Sequence, residues 1–127
     1  MDRIVDLDEA AAVLARRAAD WASVGLVVAP ATWRDAETAW PPPSETDRSR
    51  VRDPDSLGLM ITGPAGTALS VVLFRGGRAD VDYVADLDDA GSLSASGITS
   101  APDFGTRVDH WVARVFGDRA PEVPPAP

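Results

Sequence analysis

The sequence of 127 residues lacks cysteine, a long apolar run and an excess of basic residues. Without cysteine the chain forms neither disulfides nor thiolate metal sites, which fits a reducing cytoplasm. No apolar run approaches the roughly 20 residues that a membrane-spanning helix needs, so we expect no membrane partner. The N-terminus carries Asp2, Asp6 and Asp8 and no basic segment followed by an apolar one. We therefore expect no signal peptide and a cytoplasmic protein.

Acidic residues outnumber basic ones by 20 to 12, which gives a net charge of −8. Such a chain repels a phosphate backbone, so nucleic acid is not an expected partner. The charge would instead steer the chain toward a basic protein. It would equally serve to keep the protein in solution, and the composition does not separate these two interpretations.

The sequence offers little for catalysis or metal binding. Its single histidine, His110, falls on the outward face of a predicted helix, away from any nucleophile and orienting acid. Residues 86–91 begin like a calcium-binding loop, but the fifth position is Ala90 and the twelfth would be Gly97 instead of a glutamate. We therefore predict no enzyme activity, no bound metal and no cofactor.

The length and the hydrophobic content of 45% predict one folded domain with one core. We assign residues 1–118 to this domain and residues 119–127 to a flexible proline-rich tail. Within the domain, residues 41–56 begin with three prolines, continue with many charged residues and are predicted to form an exposed loop.

Helical spacing of apolar residues appears near both ends of the chain. The first helix is predicted from near Leu7 to Ala22, with Asp6 and Glu9 at capping-box spacing. The second begins after Ser100 as N-cap, with Pro102 in its first turn, and stops at Gly117. Its apolar stripe consists of Phe104, Val108, Trp111, Val112, Val115 and Phe116.

The stretch from Leu57 to Leu87 predicts three antiparallel strands joined by tight turns. Gly76 and Gly77 are read as a two-residue type I′ turn, which needs two positive φ angles. Residues 24–29 predict a further strand, residues 31–40 are ambiguous, and a short edge strand is expected near residues 92–94. The expected fold is α+β, a two-layer sandwich in which a meander of three to four strands is covered by the two helices.

The last strand of the meander carries a row of acids on one face. Alternation places Asp80, Asp82, Asp86 and Asp88 together, with Val84 as an apolar residue among them. Like charges on one face repel, so these residues face water or meet cations of another protein. Trp40, Asp47 and Arg50 from the predicted loop are weaker candidates for the same contact.

The run from Leu73 to Tyr83, together with Phe104-Gly105 and the ending Val115-Phe116-Gly117, resembles small immunity proteins of actinobacterial polymorphic-toxin loci. The resemblance covers the C-terminal half. It implies a cytoplasmic antitoxin that binds one cognate toxin and occludes it without a cofactor.

Three functional hypotheses follow from these observations. The first is an immunity protein whose acidic strand plugs the basic cleft of a toxin enzyme. The second is a chaperone or adaptor for a secretion substrate, which would use an apolar groove or a strand edge. The third is a small hydrolase, which would need a pocket built around His110 or clustered acids. The sequence does not give the oligomeric state.

Overall fold

The computed structural model describes residues 4–37 and 44–117. Two helices flank a six-stranded antiparallel sheet, so the predicted α+β class is confirmed. In chain order the elements are α1 Leu7–Ser23, β1 Val27–Val28, β2 Thr32–Asp35, β3 Pro54–Thr62, β4 Ala68–Phe74, β5 Ala79–Asp86, β6 Asp89–Ala95 and α2 Ala101–Phe116. The sheet runs β1-β3-β4-β5-β6, and β2 pairs with another part of β3.

Both helices begin at the predicted caps. The Asp6 carboxylate accepts hydrogen bonds from the backbone N–H groups of Asp8 and Glu9 and so starts α1. At α2 the Ser100 hydroxyl accepts from the N–H of Asp103, whose carboxylate in turn accepts from Thr99 N–H. These reciprocal bonds satisfy donors that a helix start leaves free, which explains why cap residues located both boundaries.

The core lies between the helices and one face of the sheet. Leu69, Val71 and Leu73 of β4 are fully buried there, because alternate residues of a strand point to the same face. From α2, Phe104 and Val108 are also fully buried in the same cluster. The helices approach closely at Gly105, where an added Cβ would lie 2.7 Å from Val13 Cγ1.

The sheet has more strands than the three to four expected. The ambiguous residues 31–40 contribute β2, which pairs with β3 and buries Trp33 against the core. The loose helical spacing of its apolar residues had obscured this short strand. The strand expected at residues 24–29 is only two residues long, whereas the edge strand expected near residues 92–94 extends from Asp89 to Ala95.

The prediction of a type I′ turn at Gly76-Gly77 is wrong. Phe74 N–H donates to Arg78 O across the hairpin, and of the two glycines only Gly77 has a positive φ, +89°. The loop therefore has three residues and one left-handed glycine. A side chain at position 77 would also clash with the backbone, because an added Cβ would lie 2.5 Å from Ile98 O.

The predicted loop at residues 41–56 is partly ordered by the fold. Residues 41–43 and the candidate Trp40 lie outside the described residues, as does the predicted tail at 119–127. Beyond them Val51 is buried, and β3 begins at Pro54, three residues before the predicted Leu57.

Candidate protein-binding surface

The sheet face away from the helices is the candidate binding surface, and we call it the open face. Strand register aligns its residues in rows across β3, β4, β5 and β6. One row is Met60, Ser70, Asp82 and Ser92, and the next is Gly58, Val72, Asp80 and Ser94. Most of these side chains are small, so the two carboxylates stand among short neighbours.

Asp80 and Asp82, which we call the acidic pair, lie on this face as the sequence predicted. Asp82 is exposed and Asp80 is half-buried. The hydroxyl of Ser92 donates to Asp82, and that of Ser94 donates to Asp80 over 3.3 Å. These bonds orient the carboxylates and leave their negative charge in place.

Among the described residues, one member of the acidic pair has a cation nearby. Arg78 Nη1 lies 3.8 Å from Asp80 Oδ1, and the same guanidinium lies 4.5 Å from the centre of the Phe74 ring. Within residues 4–37 and 44–117, no arginine forms an ion pair with Asp82. Asp82 therefore presents an uncompensated charge toward whatever approaches the open face.

The predicted row of four aspartates is not continuous, which corrects the alternation drawn from the sequence. The register between β5 and β6 shifts between Val84 and Asp86, so regular alternation ends before Asp86. Asp88 lies beyond β5, in the turn that joins β5 to β6. Val84, 40% exposed, stays in register with the acidic pair and remains the apolar candidate beside it.

The turn between β5 and β6, which we call the hairpin tip, exposes an apolar residue. Leu87, which strict alternation along the predicted strand would place on the face opposite the acids, is 98% exposed there. Asp86 and Asp88 flank it, and both are exposed. The two turn residues are Leu and Asp, without the glycine or proline that usually marks a tight turn, so the position of the turn could not be predicted.

The hairpin tip is braced to α2 by one arginine. Arg114 donates two hydrogen bonds to the Asp89 carboxylate, at 2.6 and 2.9 Å, and its guanidinium lies 5.4 Å from the Tyr83 ring centre. These hydrogen bonds from Arg114 lower the pKa of Asp89 below its usual value. Asp89 is therefore a structural acid, whereas the acids of the acidic pair are not tied to a helix.

Asp47 and Arg50, the other predicted candidates, lie at the opposite side of the sheet. Their segment adjoins Glu45, which bridges to Trp33 in β2. β2 itself is three strands from β5, about 14 Å at the usual strand spacing, and the segment lies beyond β2. The Asp47 carboxylate accepts from the Ser49 hydroxyl and N–H, which lowers the pKa of Asp47. These residues are thus not adjacent to the acidic pair.

The remaining candidate groups are the single histidine, the acids that could hold a metal ion, and a cavity beside α1. His110 is exposed on α2, as predicted. Within the described part of the chain, no group of three or more His, Asp or Glu side chains is placed to hold a metal ion. A cavity of about 400 Å³ at the start of α1 is lined by Arg48, Arg52 and Arg75, among others. There, Arg48 pairs with Asp8 and Arg75 pairs with Asp53.

Among the described residues, neither helix is both long enough and apolar enough to cross a membrane. The chain matched no protein-family model, no curated protein and no solved structure.

Proposed function

We propose that this protein is a cytoplasmic immunity protein that binds one cognate toxin enzyme and blocks it by occlusion. The open face and the hairpin tip meet a basic cleft of the toxin, and the protein itself carries out no reaction and needs no cofactor. The observation that supports this most is the exposed carboxylate of Asp82, which has no described cation beside it.

Charge is the first physical reason for a basic partner. The net charge of −8 accelerates encounter with a cationic surface, and the acidic pair gives that attraction a defined position. Close charge pairs that become desolvated in an interface are worth about 1.5–7 kcal/mol in coupling energy. Exposed pairs on a free surface are worth only about 0–1 kcal/mol, so the gain comes mainly on binding.

The hairpin tip supplies the second element of occlusion. An exposed Leu87 between the acids Asp86 and Asp88 combines an apolar contact with surrounding charge. Interfaces use this combination as a desolvated centre with a polar rim. A narrow protruding hairpin can enter a cleft that the broad sheet cannot, which makes it suited to blocking access to an active site.

Co-expression tests this proposal directly. The products of the two adjacent genes are each expressed with and without this protein, and colony formation and co-purification are measured. We expect one product to be toxic alone, and to be tolerated and co-purified when this protein is present. If neither product is toxic and neither co-purifies, the proposal is wrong.

A second candidate function is favoured by an apolar depression on the same face. It lies between the β1–β2 connection and β3–β4, and its lining includes Ala29, Pro30, Met60 and Val72. A chaperone or adaptor for a secretion substrate would hold an apolar segment there. Salt separates the two functions, because binding through the acidic pair weakens as ionic strength rises, whereas binding in the depression hardly responds.

A further inference from the structure

The outer edge of β6 is free in the described part of the chain. β6 pairs with β5 along Asp89–Ala95, and no element within residues 4–37 and 44–117 pairs with its other side. Every second N–H and C=O group of such an edge points outward without a strand partner. Seven residues of this kind form a template long enough for another strand.

This edge lacks the features by which edge strands usually prevent pairing. It contains no proline and no basic residue, and its one charged residue, Asp89, is held by Arg114. Its other side chains are those of alanine, glycine, serine and one leucine, so a second backbone can approach closely. Proline, lysine and other exposed charges are the common protections, and they are missing here.

The opposite edge of the same sheet is protected. It is divided between β1, with two residues, and β2, with four, and Pro30 lies between them. Glu45 already occupies the outer side of β2, because Trp33 N–H donates to Glu45 O at 2.7 Å and Glu45 N–H donates back at 2.8 Å. The contrast makes β6 the edge open to a further strand.

We propose that an extended segment of the partner adds to β6 as a seventh strand and places basic side chains over the acidic pair. This inference rests on the proposed function and specifies how the partner binds. Asp80 and Asp82 are two residues apart, roughly 6.6–6.8 Å along the strand, which is the spacing of alternate side chains on an added strand. Only Ser94 and Ser92 lie between the acidic pair and that strand in the register.

The reach of a basic side chain fits this arrangement. An added strand would lie about 10 Å from β5, two strand spacings away. Long lysine and arginine side chains lie along a surface and present their charge at the end. To reach the acidic pair, these side chains would cross Ser92 and Ser94, whose own side chains are short. The segment is therefore expected to carry Lys or Arg at two alternate positions, i and i+2.

Two other occupants are less suitable. A second copy paired edge to edge would bring two acidic pairs toward each other, and like charges on neighbouring strands are destabilising. The chain's own residues 118–127 contain four prolines, each without an N–H donor for the ladder. Charge complementarity thus favours a basic strand from another protein.

Synthetic seven-residue peptides test the inference on the full chain. The first peptide alternates lysine with threonine or valine, and its control has the same sequence with N-methyl groups along its central residues. The control keeps every charge and side chain but has no central N–H donors. Binding is followed by NMR titration of the labelled protein and by hydrogen exchange of the β6 amides.

We expect the alternating peptide to slow exchange of the outward amides of β6 about tenfold at a concentration ten times its Kd. The N-methylated control should leave β6 exchange unchanged. The double variant Asp80→Asn/Asp82→Asn should weaken binding of the first peptide and reduce its salt dependence. These three results together support strand addition.

Three results would each overturn strand addition. The first is equal binding of both peptides with no protection of β6, which would leave the acidic surface as a binding site without strand pairing. The second is no saturable binding of the alternating peptide. The third is a dimer of the protein alone in sedimentation, with the β6 amides already protected. The proposed function fails separately, through the co-expression experiment above.

Discussion

The two faces of the sheet differ in what their side chains do. On the covered face, Leu69, Val71 and Leu73 are fully buried and hold the helices to the sheet. On the open face, the neighbouring Ser70 and Val72 are only half-buried and align with the acidic pair. One side of this strand thus belongs to the core and the other to the proposed binding surface, and substitutions on the two sides should have different effects.

The largest contrast is expected from lysine at adjacent positions of β4. Val71→Lys buries an unpaired charge at a cost of several kcal/mol, comparable with the roughly 5–15 kcal/mol that stabilises a domain, and should unfold the protein. Ser70→Lys places its charge beside Asp82 on the open face and should leave the protein folded. Circular dichroism of both variants checks this, and a folded Val71→Lys or an unfolded Ser70→Lys would contradict the assignment of faces.

A smaller contrast is expected from truncations. Phe104→Ala removes a fully buried ring from α2 and should lower the free energy of unfolding by about 3–5 kcal/mol. Met60→Ala truncates a side chain that is 42% exposed on the open face. Because this truncation leaves no closed cavity, it should lower the free energy of unfolding by less than about 1 kcal/mol. Urea denaturation measures both, and similar losses would show that the open face is also part of the core.

The smallest effect concerns pH at the hairpin tip. Arg114 lowers the pKa of Asp89 in the folded state. The Asp89–Arg114 pair therefore stabilises the fold at pH values above the pKa that Asp89 has in the unfolded chain, and this stabilisation is lost as pH falls through the lower pKa of the folded state. Arg114→Gln should therefore lower the urea midpoint at pH 7, and the difference from the parent should shrink by about pH 2, below the usual aspartate range. A difference that stays constant over this range would show that Arg114 acts through packing alone.

The fold was predictable where local chemistry decides it. Asp6 and Ser100 mark helix starts because their side chains satisfy free backbone donors. β2 was missed because pairing with β3 and burial of Trp33, both nonlocal, override loose helical spacing. β6 was underestimated because serine, glycine and alanine have little strand preference of their own.

The candidate surface was predictable in part. Alternation correctly placed Asp80, Asp82 and Val84 on one face. The bulge before Asp86 and the exposed Leu87 follow from the register between β5 and β6, which no local pattern encodes. Asp47 and Arg50 were candidates because they lie in a predicted exposed loop, whereas the pairing of Glu45 with Trp33 and the strand order put their segment at the other side of the sheet.

The most direct test of the account is the affinity of the co-purified partner for two double variants that lose the same charge. Asp80→Asn/Asp82→Asn should keep the parent's urea midpoint and raise the Kd at least about tenfold, because interfacial charge pairs are worth about 1.5 kcal/mol or more. The control Glu9→Gln/Asp20→Asn on α1 should leave the Kd nearly unchanged, since both sites are exposed on the helix layer. Equal affinities for both variants would contradict the claim that the acidic open face binds the partner.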